Sequence, residues 1–509
     1  LRSSSAFLAA LLWSGTAAAQ APLSAIDWLD EMGTAAVISP GPDAPDTADR
    51  ISRPDVTVTP LGAQRADSVG LLPSTTTGLP RTLWEASNTA ILTRYLERLP
   101  ERPLPAMRAL YYTLLLAEAD APPDSTGAAS FLHARLAALR RFGAVEPALA
   151  LVERAGGSRP GLFDTWLDLA LLDGREDRAC AALAATPHLS DDPRSRIYCL
   201  ARAGDWQTAA LILHGAEASG AITEPDVTLL ALHLEPELIE EIAPPVPPTE
   251  LTPLRFRLYE SIGAPLGTHG LPRAYAMADL RGTAGWKAEI VAAERLAQTG
   301  ALAATRLFGL YTARKPAASG GVWDRVAAVQ ALDSALAPGG GAEALAKALP
   351  AVWEGARALG LETVMSEIFA ERLLAAAPLP DPLAARAAEM VLLSPLYERA
   401  REIASPSMRD RFLAGIAEGT PGNADAATRM QSAIAAGFAA TTAAPEHQQM
   451  IAEGRLGEAI LAAAALLDHG AERVAPSSVE VALATLRAAG LEDTARRAAL
   501  QIVLLGPDQ

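Results

Sequence analysis

The sequence predicts an all-α fold: an α-solenoid of helix-turn-helix repeats behind an extended, mostly irregular N-terminal segment. Three observations predict it. Half of the 509 residues are apolar but only 5% are aromatic, so alanine and leucine carry the hydrophobicity, as in close-packed helices. From Pro80 onward, stretches such as RTLWEASNTAILTRYLERL place apolar residues at i, i+3, i+4 and i+7, the period of one helix face. A glycine turn between two such helices then recurs at Gly143, Gly174 and Gly204, at intervals of 31 and 30 residues, the mark of stacked helical repeats.

Residues 1–19 have a basic Arg2, an apolar run from Ala6 to Trp13 and the small residues Ala17-Ala18-Ala19. This is the three-part form of a secretory signal peptide with cleavage after Ala19, and it predicts export to a periplasm. The apolar run is too short to span a bilayer, and no later run approaches the roughly 18 residues of a transmembrane helix. No membrane insertion is therefore expected after cleavage. Residues 20–80 are rich in proline, threonine, aspartate and glycine and cannot build a core of their own. They read as a flexible leader, or as an extended arm that packs along the body or docks onto another protein by strand addition. Asp55 to Leu61, DVTVTPL, has the alternation of one short strand.

Residues 81–243 form the first predicted helical array. Five residues past each turn glycine stands an alanine: Ala148 after Gly143, Ala179 after Gly174, Ala209 after Gly204. Glycine allows the positive φ that ends a helix tightly, and a small alanine at fixed depth lets paired helices approach. Residues 244–272 begin with four prolines in five residues, PPVPP, which forbid helix and favour an extended link. They are either the joint between two arrays or a long loop within one. Residues 273–509 form the second array, where Gly454 with Ala459 and Gly490 with Ala495 repeat the glycine-alanine rule.

The stretch AGDWQTAALIL, around Gly204, resembles the turn and second helix of a tetratricopeptide (TPR-like) repeat, in which a Gly-Asp-aromatic turn precedes an alanine by five positions. The first-helix signature of that family is poorly kept, with Leu136, Leu167 and Ile197 where a small residue is usual. The resemblance implies stacked helix pairs with a concave surface that binds peptides or proteins, and packing roles for Trp206 and Ala209. The chain as a whole resembles large secreted proteins of alphaproteobacteria.

Motifs for chemistry are sparse. The formal charge is −16 and the basic residues are dispersed, which argues against nucleic acid and anionic membranes as partners. The seven histidines form no zinc-spaced cluster, and no cofactor is implied. Cys180 and Cys199 fall on neighbouring predicted helices, either as a possible disulfide of an oxidising compartment or as two buried thiols. Ser319-Gly320-Gly321, after Arg314 and Lys315, precede a helix and either hold an anion at its N-terminus or simply cap it. Glu260-Ser261 with Gly270-Leu271 is similar to part of the signature of peptidoglycan-cleaving lytic transglycosylases, but Pro272-Arg273 stand where Met-Gln is required.

No catalytic residue is identified. The expected function is that of an exported, non-catalytic protein-protein interaction scaffold or assembly factor for an envelope, secretion or motility machine. The alternative is a peptidoglycan-active enzyme or small-ligand binder with a site assembled from distant helices.

Overall fold

Helices account for nearly all the regular structure of the described residues. The computed structural model describes residues 65–403 and 408–506, which fall within one compact unit, Thr59–Gln509. Among them there is no strand beyond the isolated bridge Leu72↔Ala117. The fold is all-α. The signal peptide, the strand-like Asp55–Leu61 and most of the segment 20–80 lie outside the described residues.

The described part of that segment is tied to the body. After the short helix α1 (Ser74–Thr77) come α2 (Thr89–Glu97), α3 (Pro105–Leu116) and α4 (Ser130–Phe142). Arg135, on α4, is buried to 1% exposure. It donates to the carbonyls of Val69 (2.7 Å), Leu115 (2.8 Å) and Ala117 (3.0 Å). The Asp67 carboxylate in turn accepts from the Leu132 amide at 2.7 Å. A buried guanidinium is tolerated because carbonyl oxygens replace its water, and burial still pushes its pKa down to about 10. The linear segment 67–72 is thereby fixed across α3 and α4.

The glycine turns follow. α4 and α5 (Val145–Arg154) meet at Gly143, α6 (Phe163–Asp173) and α7 (Asp177–Ala185) at Gly174, and α8 (Pro193–Arg202) and α9 (Trp206–Ala218) at Gly204. The three glycines have φ of 84°, 84° and 85°, the left-handed conformation that residues with a Cβ resist. Asp192 caps α8 and Asp205 caps α9, each accepting a backbone N–H of the first turn. Ala148, Ala179 and Ala209 are all completely buried, and each helix from α4 to α9 packs on the one before it. α10 (Asp226–Leu234) closes this run.

Beyond the prolines the chain turns back. α11 (Pro253–Ser261) packs on α6 and α10, and the 3-10 segment Arg273–Leu280 packs on α4 and α6. Tyr259 Oη donates to the Pro245 carbonyl at 2.9 Å, pinning the proline segment to α11. Then follow α12 (Trp286–Ala297), α13 (Ala304–Thr312), α14 (Val322–Ala335), α15 (Ala342–Leu359), α16 (Glu362–Ala375), α17 (Leu383–Leu392) and α18 (Met408–Glu418). The last five helices are α19 (Arg429–Ala439), α20 (Pro445–Ala452), α21 (Leu456–Ala465), α22 (Pro476–Ala488) and α23 (Glu492–Leu505). Gly454 (φ 79°) separates α20 from α21 and Gly490 (φ 80°) separates α22 from α23, with Ala459 and Ala495 fully buried.

A seam joins the first helices to the last. α3 packs on α23 and α2 on α21. The Ala106 amide, at the N-terminus of α3 where no helical acceptor exists, donates to Gln501 Oε1 at 2.7 Å. Tyr111 Oη donates to Asp468 at 2.7 Å, and the Gly457 amide to the Leu83 carbonyl at 3.1 Å. A second junction lies after α12, where Arg108 donates to the Gln298 carbonyl (2.8 Å) and Gln298 Nε2 to the Leu359 carbonyl (2.9 Å).

Candidate functional site

The two cysteines are joined. Cys180 on α7 and Cys199 on α8 form a disulfide with Cα atoms 4.9 Å apart, made possible by the direct packing of those helices. Both are buried, so the bond acts as a staple between consecutive helix pairs. Trp206 departs from the packing role given to it by the resemblance. As the first residue of α9 it is 48% exposed, leaning on His233 with ring centroids 6.2 Å apart, because Asp205 rather than the indole closes the turn.

The acid-and-serine pair at 260–261 sits in a structural network. Glu260 accepts from Arg257 at 2.7 Å and from Arg281. Arg257 also reaches the fully buried Glu176 at 2.9 Å, which accepts from Tyr198 Oη at 2.8 Å. Both Glu260 oxygens are engaged by guanidiniums, so the carboxyl is a link in this network rather than a group offered to a substrate. Ser261 Oγ lies 2.8 Å from His233 Nδ1 but donates its own proton to the Leu258 carbonyl at 2.7 Å. The imidazole therefore donates to the hydroxyl instead of activating it. Burial pushes the His233 pKa down to about 4, so the ring is neutral near pH 7.

The loop Ser319-Gly320-Gly321 caps itself. The Gly320 amide donates to Asp324 at 2.9 Å, a carboxylate within the first turn of α14. This loop borders a groove of ≈ 790 Å³ between α12, the loop 267–269 and the segment 314–323. Its floor is α12, with Trp286, Ala288, Val291 and Ala292. Trp323 of α14 leans on Trp286 with centroids 5.1 Å apart and planes at 44°. Trp286 Nε1 donates to the Leu310 carbonyl at 2.9 Å, which fixes the indole.

Cations surround these rings. Lys287 of α12 and Arg314 and Lys315 of the 314–323 segment line the groove, all exposed and none in an ion pair among the described residues. Arg295 donates to the carbonyls of Thr268 (2.8 Å) and Leu271, so it holds the 268–271 wall in place. The one acidic residue lining the groove is Asp279, half-buried, bonded by Thr268 Oγ1, its pKa raised by burial. The arrangement suits a ligand with an apolar group for the indoles and negative charge for the rim.

From the sequence, only the segment from Arg314 to Gly321 pointed here, and it pointed to a helix N-terminus rather than to the groove. Trp286, Lys287 and the 267–269 wall are brought in by tertiary packing. A compositional signal existed: the chain has only three lysines, Lys287, Lys315 and Lys347, and two of them border this groove.

A smaller cavity of ≈ 240 Å³ lies at the seam, lined by Arg94, Tyr95, Arg98, Tyr111 and Asp468. Burial raises the Asp468 pKa to about 6. Among the described residues no three His, Cys, Asp or Glu side chains converge where they would hold a metal ion. None of the described helices is long and apolar enough to cross a membrane.

No protein-family model matches the chain, and no curated protein and no solved structure matches it either.

Proposed function

We propose that the protein is a non-catalytic interaction scaffold, exported to the periplasm, whose α4–α9 region is a TPR-like α-solenoid. It would serve as an assembly factor for an envelope, secretion or motility machine. The observation that carries the reading is the groove over α12, where Trp286, held by its hydrogen bond, and Trp323 share the lining with cations that have no ion-pair partner among the described residues. Aromatic residues and arginine at a concave, prearranged surface are the composition of a recognition site. The equal φ of the three turn glycines and the complete burial of the three register alanines support the repeat reading. The Cys180–Cys199 bond supports an oxidising compartment.

The test is photo-crosslinking in the native cell from a probe at exposed Ala317, on the groove rim, combined with fractionation of the cells. A discrete protein adduct from the periplasmic fraction supports the scaffold. A small molecule co-purifying with the chain, with no protein adduct, favours the alternative of a small-ligand binder. That alternative draws on the same groove, whose volume lies in the range of ligand sites, roughly 300–1,000 Å³.

A further inference from the structure

We propose that the groove over α12 docks an extended acidic peptide segment of a partner protein, with an apolar or aromatic side chain set between carboxylates. The proposal rests on the scaffold reading and names the chemistry of the partner. It starts from charge. The chain carries −16 overall, so its general field repels acidic ligands and local attraction must come from specific side chains. Lys287, Arg314 and Lys315 of the lining provide it, against the single lining carboxyl of Asp279, which is turned to Thr268. Among the described residues most other arginines are engaged internally, as in the pairs of Arg255 with Asp226 (2.7 Å) and Arg325 with Glu294 (2.6 Å). Cations left without an internal partner beside a concave apolar floor meet the charge requirement for docking.

The indoles decide between an acidic peptide and an acidic sugar. A sugar stacks on the open face of an aromatic ring. Trp286 and Trp323 lean on each other at 5.1 Å and 44°, so much of their facing surface is already covered. What they leave is an apolar cleft continuous with Val291 and Ala288, suited to an inserted side chain rather than to a flat ring. The floor is also rigid: Trp286 is bonded to the Leu310 carbonyl and the 268–271 wall to Arg295. Little ordering cost is then left to binding.

A random dodecapeptide library displayed on phage, selected on the full chain and counter-selected on Lys287→Glu/Lys315→Glu, tests this. Both lysines are exposed and outside any ion pair among the described residues, so the variant should keep its circular dichroism and melting temperature. The expected result is enrichment of sequences with at least two carboxylates flanking Trp, Phe, Leu or Ile. A fluorescein-labelled consensus peptide should bind about tenfold more weakly to the double variant and to Trp323→Ala, and more weakly as salt rises. Enrichment of neutral or basic peptides at the groove overturns the acidic assignment but leaves the scaffold reading standing. No enrichment, with oligogalacturonate binding to the wild type and not to the double variant, overturns both. Enrichment that survives in the double variant shows that peptides bind elsewhere and overturns the groove.

Discussion

Gly204 and Gly143 have the same backbone conformation but different surroundings, and the difference can be measured. A Cβ on Gly204 would meet nothing within 4 Å, whereas on Gly143 it would stand 2.7 Å from Leu296 and 2.9 Å from Arg273. Gly204→Ala should therefore cost only the left-handed φ, about 1 kcal/mol. Gly143→Ala should cost roughly 2–3 kcal/mol, because the buried Leu296 must also move. Denaturant midpoints of the two variants check this, and equal losses would contradict it. Asp468 gives a second prediction. Its folded pKa of about 6 lies above its ordinary value of 3.8, so the ionised form is the disfavoured one in the fold. The stability it contributes is complete below pH 4 and is lost as pH rises through 6. Asp468→Asn still accepts from Tyr111 and should melt higher than wild type at pH 7. After allowance for solvent at the cavity mouth the gain is on the order of 1–2 kcal/mol, and it should vanish near pH 4. At this scale the sequence was legible where one residue type does one local job, as with the turn glycines. It was not legible for Trp206, whose exposure depends on how its neighbour Asp205 caps the helix.

Among the elements, α7 and α8 are held by packing and by a covalent bond. The Cys180–Cys199 bond closes a loop with a sequence separation of 19, so removing it should cost about 3 kcal/mol by loss of the constraint on the unfolded chain. Urea titration with and without reductant, beside Cys180→Ala/Cys199→Ala, measures this. A reduced protein of unchanged midpoint would show the bond to be energetically idle. The juxtaposition of the two cysteines was readable because it arises between consecutive helices at a regular period. The groove was not readable in the same way. Its floor, wall and rim come from α12, the 267–269 loop and the 314–323 segment, and their meeting depends on Arg295 clamping two carbonyls and on Trp286 reaching α13. No local pattern encodes such a meeting; the segment from Arg314 to Gly321 and the scarcity of lysine marked only part of the rim.

For the whole unit, the seam determines how the parts depend on one another. In a simple repeat array each unit touches only its neighbours, and loss of the last leaves the first intact. Here α3 lies on α23, and Gly457 is in van der Waals reach of the buried Trp84: a Cβ there would stand 2.3 Å from the indole. Gly457→Ala should cost roughly 2–3 kcal/mol. Deletion from Pro476 onward should destabilise α2 and α3 as well as the C-terminal helices. Hydrogen exchange of the residues 89–116 checks both, and unchanged protection there would show the seam to be a passive contact. The helical period of the sequence reveals each amphipathic stripe but not which distant stripe covers it, so the seam was not legible.

The amide of Ala106 finds its acceptor on Gln501, 395 residues later in the chain. At a synthesis rate of 5–20 residues per second, Gln501 is made roughly 20–80 s after Ala106, so the contact between α3 and α23 forms later than that of α3 with α4. A chain interrupted before α23 therefore lacks the acceptor for the Ala106 amide and cannot close the seam.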